Sequence, residues 1–133
     1  MENPAAIPEP GSCAKTILLA EDEVLIRALT AEALREAGFI VIEASSSDEA
    51  QSVIAAGLTP DLLFTDVRMP GARDGLTLAR ELKTQLPDLI VFVASGHADP
   101  REAEKHAYRF FAKPYDVEAV VKAIADALDQ YER

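Results

Sequence analysis

Short apolar runs alternate with helically spaced apolar positions along this chain, from about residue 15 to its end. The runs are Thr16-Ile17-Leu18-Leu19-Ala20, Phe39 to Ile42, Leu62 to Phe64, Leu89 to Ala94 and Tyr108 to Ala112. None shows helical spacing, and turn formers bound them, so each reads as a strand buried on both faces of a parallel sheet. Between them, apolar residues recur at steps of three and four. The first such stretch offers Ile26, Leu29, Ala33, Leu34 and Ala37, with Gly38 as its stop. In the second, Ser46 and Glu49 form a capping box ahead of Ala50, Val53 and Ile54. The third runs from about Asp74 to Gln85 with Leu78, Ala79 and Leu82 inward. The fourth starts at Asp99-Pro100, and the strand beginning at Tyr108 leaves it room for little more than a turn. The last starts near Asp116 and turns Val117, Val120, Val121, Ile124, Leu128 and Tyr131 inward.

Five strands strictly alternating with five helices predict an α/β fold with helices on both faces of a parallel sheet. Right-handed crossovers leave few topologies, and the flavodoxin-like, doubly wound order 2-1-3-4-5 is the common five-stranded one. Residues 1–14 carry Pro4, Pro8, Pro10 and Gly11 without periodicity and are expected to be a flexible tail. Residues 15–133 then make a single domain.

Charge narrows the range of partners. The formal net charge of −10 repels phosphate backbones and anionic lipid, so neither nucleic acid nor membrane is the expected partner. The only cysteine, Cys13, falls in the tail, which leaves no disulfide framework and no zinc site. No stretch has membrane-spanning length, and Met1 to Ala6 lack the basic start and apolar block of a secretory signal. A cytoplasmic protein is expected.

In the predicted fold every strand ends on the same rim. The first delivers Glu21 and Asp22, the third Asp66, the fourth Ser95 and the fifth Lys113. Taken singly, each has an ordinary structural role as a cap or a solvated charge; four strand ends all carrying such residues argue for a site. Three carboxylates crowded together repel by about 3 kcal/mol per pair at roughly 5 Å and an effective dielectric near 20. Lys113 offsets part of this, and a hard divalent cation such as Mg²⁺ would offset more. The inferred chemistry is metal-assisted phosphoryl transfer. Asp66 is the nucleophile, Asp22 and Glu21 help hold the metal, and Ser95 and Lys113 bind phosphoryl oxygens.

These residues, in this order, resemble the receiver domain of bacterial two-component response regulators. The likeness runs from about Lys15 to Tyr131 and rests on Glu21-Asp22, the Asp66 strand with Met69-Pro70 and Asp74-Gly75, Ser95-Gly96 and Lys113-Pro114. It implies that Asp66 takes a phosphoryl group from the phosphohistidine of a histidine kinase or histidine phosphotransferase. It also implies Mg²⁺ held by Asp22, Asp66 and the main-chain carbonyl of Arg68, with Glu21 acting through water. Ser95 and Phe110 would form the switch, and Lys113-Pro114 would be a cis bond. The expected product is a self-phosphorylating and self-dephosphorylating signalling domain rather than a turnover enzyme. With little chain after Tyr131, it would act alone on an unknown downstream protein; a phosphate sink and a phosphorylation-independent interaction module are the alternatives.

The chain departs from the family pattern at several points. Glu21 replaces the commoner aspartate, and the Met69–Gly75 loop is one residue longer. The fourth helix is short, Ala107 stands where a glycine turn is common, and Phe110 has no hydroxyl. A haloacid-dehalogenase-type phosphohydrolase also uses a strand-end aspartate, but it needs a second acid two residues later, where this chain has Arg68. His97 and His106 lack ligand-like spacing, and Tyr108 and Phe111 read as core or packing residues.

Overall fold

The computed structural model describes residues 14–70, 73–96, 100–105 and 107–131. The expected tail, apart from Ala14, lies outside these residues, as do Cys13, His97, Asp99, His106 and the middle of the Met69–Gly75 loop. The side chain of Tyr131 also lies outside them. The described elements run β1 (Thr16–Ala20), α1 (Val24–Glu36), β2 (Ile40–Ala44), α2 (Ser47–Ala55), β3 (Leu62–Asp66), α3 (Gly75–Gln85), β4 (Ile90–Ser95), α4 (Pro100–Glu104), β5 (Arg109–Ala112) and α5 (Val117–Tyr131). All strand pairs are parallel, in the order β2-β1-β3-β4-β5, as the alternation predicted.

Successive side chains of each strand face opposite sides of the sheet, which divides the core in two. Leu62 and Phe64 of β3 pack with Ile17, Leu19 and Phe92 against α1 and α5. Leu63 packs with Leu18, Val91 and Val93 against α2 and α3. Phe64 sits at the centre of an aromatic group, edge-on to Phe92 at 6.5 Å and to Phe111 at 6.3 Å between ring centroids. Such pairs add about 0.5–1.5 kcal/mol each beyond the area they bury.

The ends of the helices follow the sequence signals. The Ser46 hydroxyl accepts a bond from the Glu49 amide, and the Glu49 carboxylate accepts one from the Ser45 amide. Asp74 caps α3 by accepting from the Thr77 amide. Gly38 takes φ +100° just after α1, in the left-handed region where a Cβ is strained.

The orientation of α1 differs from expectation. Leu29 is 62% exposed and Ala37 is exposed, whereas Thr30, Ala31 and Leu34 are buried. Ala31 and Leu34 pack into the core with α5, and Thr30 lies beside them with its hydroxyl 3.0 Å from the Tyr115 hydroxyl. Satisfying that pair lets a polar residue take an interior position, while Leu29 faces out. Tyr108 also lies outside the core, 49% exposed, with its ring stacked on Phe92. α4 has only five residues, as the spacing before β5 required.

Candidate functional site

The carboxyl ends of β1, β3, β4 and β5 converge on one edge of the sheet. Asp66 is the last residue of β3, directly opposite Ala94 of β4. Its main chain is fixed on several sides. The Val67 amide donates to the Ala94 carbonyl, the Thr65 hydroxyl to the Asp66 carbonyl, and the Gly75 amide to the Val67 carbonyl at 2.7 Å. Gly75 begins α3 directly over this strand end, and a Cβ there would collide with the Asp66 carbonyl oxygen. Glycine is therefore required for α3 to start so close to the acceptor.

Lys113 crosses from the end of β5 to the other side of the site. Its ammonium donates to Glu21 Oε1 at 2.7 Å and to Asp66 Oδ2 at 2.9 Å, with Glu23 Oε2 at 3.4 Å. The Lys113 amide donates to the Ser95 carbonyl, which ties the lysine to the end of β4. The Lys113-Pro114 peptide is cis. Burial alone would lower the Lys113 pKa. Hydrogen bonds to Glu21 and Asp66 outweigh it and hold the ammonium above the ordinary lysine range. For Glu21 the balance runs the other way. Burial is its largest influence and pushes its pKa up, and the bonds from Lys113 and the Glu23 amide only partly offset that.

One ammonium thus faces three carboxylates, those of Glu21, Glu23 and Asp66, with Asp22 close beside two of them. Ligand oxygens of Glu21, Asp22 and Asp66 all lie within 4.8 Å of one another, with Glu21 and Asp66 buried and Asp22 exposed. An all-oxygen set with excess negative charge and one open side fits a hard divalent cation that keeps water ligands, which is the chemistry of Mg²⁺. Arg68 follows in the bend after β3 with an exposed side chain. Ser95 is buried at the end of β4, and Phe110 is half-buried against the face that carries α2 and α3.

Of the residues expected at the site, Glu21, Asp22, Asp66, Ser95 and Lys113 therefore meet on one rim, and Phe110 lies behind it in β5. Sequence reasoning missed Glu23, which reaches the ammonium as a further carboxylate; its place in the run Glu21-Asp22-Glu23 was the available signal. It also missed Arg27, whose guanidinium donates to the Glu21 carbonyl at 2.8 Å and pairs with Glu43. Arg73 was missed as well; it bonds Asp48 of α2 and Glu81 of α3, securing the loop between Asp66 and α3.

A sequence profile of the response regulator receiver domain matches residues 17–125. The transcriptional regulatory protein PdtaR of Mycobacterium tuberculosis is 36% identical over 121 residues, 88% of this chain and 58% of that protein. The DNA-binding transcriptional regulator NtrC of Salmonella typhimurium is 30% identical over 120 residues, 87% of this chain. The chain spans only 25% of NtrC's length. Among solved structures, the response regulator protein TrrA of Thermotoga maritima, in complex with Mg²⁺-BeF, superposes with a TM-score of 0.74 at 26% identity. That match covers 84% of this chain and 97% of the other.

Proposed function

The chain belongs to the response regulator receiver domain family, and on that premise we propose that Asp66 accepts a phosphoryl group from a phosphohistidine. A carboxylate oxygen of Asp66 forms a bond to phosphorus as the P–N bond breaks, and the nitrogen lone pair returns to the donor imidazole. The observation that carries this reading is the Lys113 ammonium held between Glu21 and Asp66. It is a cation bonded to the Asp66 carboxylate, beside the oxygen that would carry the phosphoryl group. Ser95, at the neighbouring strand end, is suited to bind a phosphoryl oxygen. Mg²⁺, held by Asp22, Asp66 and the Arg68 main-chain carbonyl with Glu21 through water, would neutralise charge on the transferring group. The Mg²⁺-BeF complex of TrrA supports that ligand chemistry.

The donor is a histidine kinase or phosphotransferase. Val24, Leu25 and Leu29 stand exposed on α1, which begins just after the acidic pair. They offer an apolar footing from which a partner's phosphohistidine reaches Asp66. The domain works as a cytoplasmic switch rather than a turnover enzyme: the phosphoryl group is taken up, changes which protein the domain binds, and is lost to water. Among the described residues no helix is long and apolar enough to cross a membrane.

Incubation with a small acyl phosphate and Mg²⁺ tests this reading. Acid-stable, base-labile label is expected on the native chain and none on Asp66→Asn. Undiminished label on the variant, or full labelling in EDTA, would sink the assignment. Beryllofluoride should also change the set of proteins retained by the domain. If it does not, the switch fails and a phosphate sink is left.

A further inference from the structure

We infer that Arg27 is a positioning residue for the metal, holding the acidic turn Glu21-Asp22-Glu23 in the shape that lets Glu21 and Asp22 serve one cation. The inference rests on the Mg²⁺ site of the proposed function and adds to it a residue outside the ligand set. Carboxylates on three consecutive residues repel one another and work to splay the turn. Bonds at both ends oppose this. The Glu21 amide donates to the Ala44 carbonyl of β2 at 3.0 Å, and the Glu23 amide donates to Glu21 Oε2 at 3.1 Å. Arg27 supplies two more: its guanidinium donates to the Glu21 carbonyl at 2.8 Å, and its amide donates to the Glu23 carbonyl at 2.9 Å. Asp22, which is exposed, is thus carried between two residues whose carbonyls are both held by Arg27.

The guanidinium is itself anchored. Its Nε lies 3.3 Å from Glu43 Oε1, and the Arg27 side chain is only 18% exposed, so its bond to the Glu21 carbonyl is little screened. Glu43 precedes Ala44 on β2, and Ala44 is the residue that receives the Glu21 amide. β2 therefore steadies the acidic turn twice, through its main chain at Ala44 and through Arg27 at Glu43, although the carboxylates and the ammonium of the site come from other strand ends. Charge and position make opposite predictions for Arg27. A cation behind the turn repels Mg²⁺, so on charge alone the metal would bind more tightly once Arg27 is neutralised. Glu43 already balances that charge, which leaves loss of position as the larger effect. Outer partners of metal ligands are typically worth about 10–100-fold in affinity.

Mg²⁺ binding to the unphosphorylated full chain, followed by calorimetry or amide shifts, tests this without any labelling. Arg27→Gln should weaken Mg²⁺ binding by about tenfold. Arg27→Lys keeps the charge but has one nitrogen for two acceptors; it should weaken binding too, and it carries the test if the glutamine variant does not fold. Arg35→Gln is the control. Arg35 pairs with the same Glu43 at 3.1 Å but reaches the Val41 carbonyl rather than the acidic turn, so its loss should leave the Mg²⁺ affinity unchanged. Acyl-phosphate labelling of Arg27→Gln should need about tenfold more Mg²⁺ for half its maximal rate, with the maximal rate preserved. Unchanged or tighter Mg²⁺ binding in the Arg27 variants overturns the inference. So does an equal loss in Arg35→Gln, which would mean a general loosening of α1 on β2. Absence of Mg²⁺ binding by the native chain would refute the metal reading itself, and this inference with it.

Discussion

β3 and β5 end on the same rim and contribute opposite charges, yet they are built differently. Every residue of β3 is buried, with β1 on one side and β4 on the other. β5 is one of the two edge strands, four residues long, with Arg109 and Ala112 exposed and Phe110 and Phe111 half-buried. Asp66 therefore ends a fully buried strand paired on both sides, and Lys113 follows a strand paired on one side only. Opening the sheet at Asp66 means breaking strand pairs on both sides of β3, whereas Lys113 follows β5, paired to β4 alone. On the proposed function, such a division would let the edge rearrange on phosphorylation of Asp66 while the main chain of β3 stays in place.

The sharpest test contrasts truncations in the two strands. Phe64→Ala removes the ring at the centre of the aromatic group and should cost about 3–5 kcal/mol in denaturant unfolding. Arg109→Ala, which loses only a cation–π contact 4.8 Å from the centre of the Phe111 ring, should cost about 0.5–1 kcal/mol. Equal losses would show that the edge is as tightly integrated as the centre.

A smaller effect is expected where α3 meets β3. Gly75→Ala forces a Cβ into the Asp66 carbonyl oxygen, an overpacking that should cost about 1–3 kcal/mol. Because relief requires Asp66 to shift, acyl-phosphate labelling should slow by about tenfold or more. Loss of stability with an unchanged labelling rate would mean that α3 moves instead.

An effect of similar size, without a change in labelling, is expected at the link between α1 and the segment after Lys113. Thr30→Val leaves the Tyr115 hydroxyl without its partner and should cost about 1–3 kcal/mol. Thr30→Val with Tyr115→Phe removes both hydroxyls and should recover most of that loss, which a double-mutant cycle measures. Burial pushes the Tyr115 phenol above its ordinary range, and the Thr30 bond only partly offsets this. The folded chain thus holds the phenolic proton more tightly than the unfolded one. The resulting stability is complete below the ordinary tyrosine pKa of about 10 and is lost as pH rises through the higher folded value. Alkaline loss of stability should accordingly be shallower in Tyr115→Phe; an identical pH profile would show that Tyr115 does not contribute.

Sequence and tertiary structure divide the account of this protein along a physical line. Strand and helix order follow from local apolar spacing, and the parallel sheet follows from that order, so the chain alone determined that Glu21, Asp22, Asp66, Ser95 and Lys113 share one rim. The five-residue α4 was legible for the same reason, since β5 begins so soon after Pro100. Spacing could not determine how each helix turns about its own axis. Leu29 and Thr30 are neighbours on α1, and only the packed structure, with Ala31 and Leu34 against α5 and the Tyr115 hydroxyl beside Thr30, shows the leucine out and the threonine in. Nor could spacing show that Gly75 lies against Asp66 or that Glu23 shares the lysine. Each depends on contacts between residues distant in sequence, and the energies that select them arise only when the two faces of the sheet are packed.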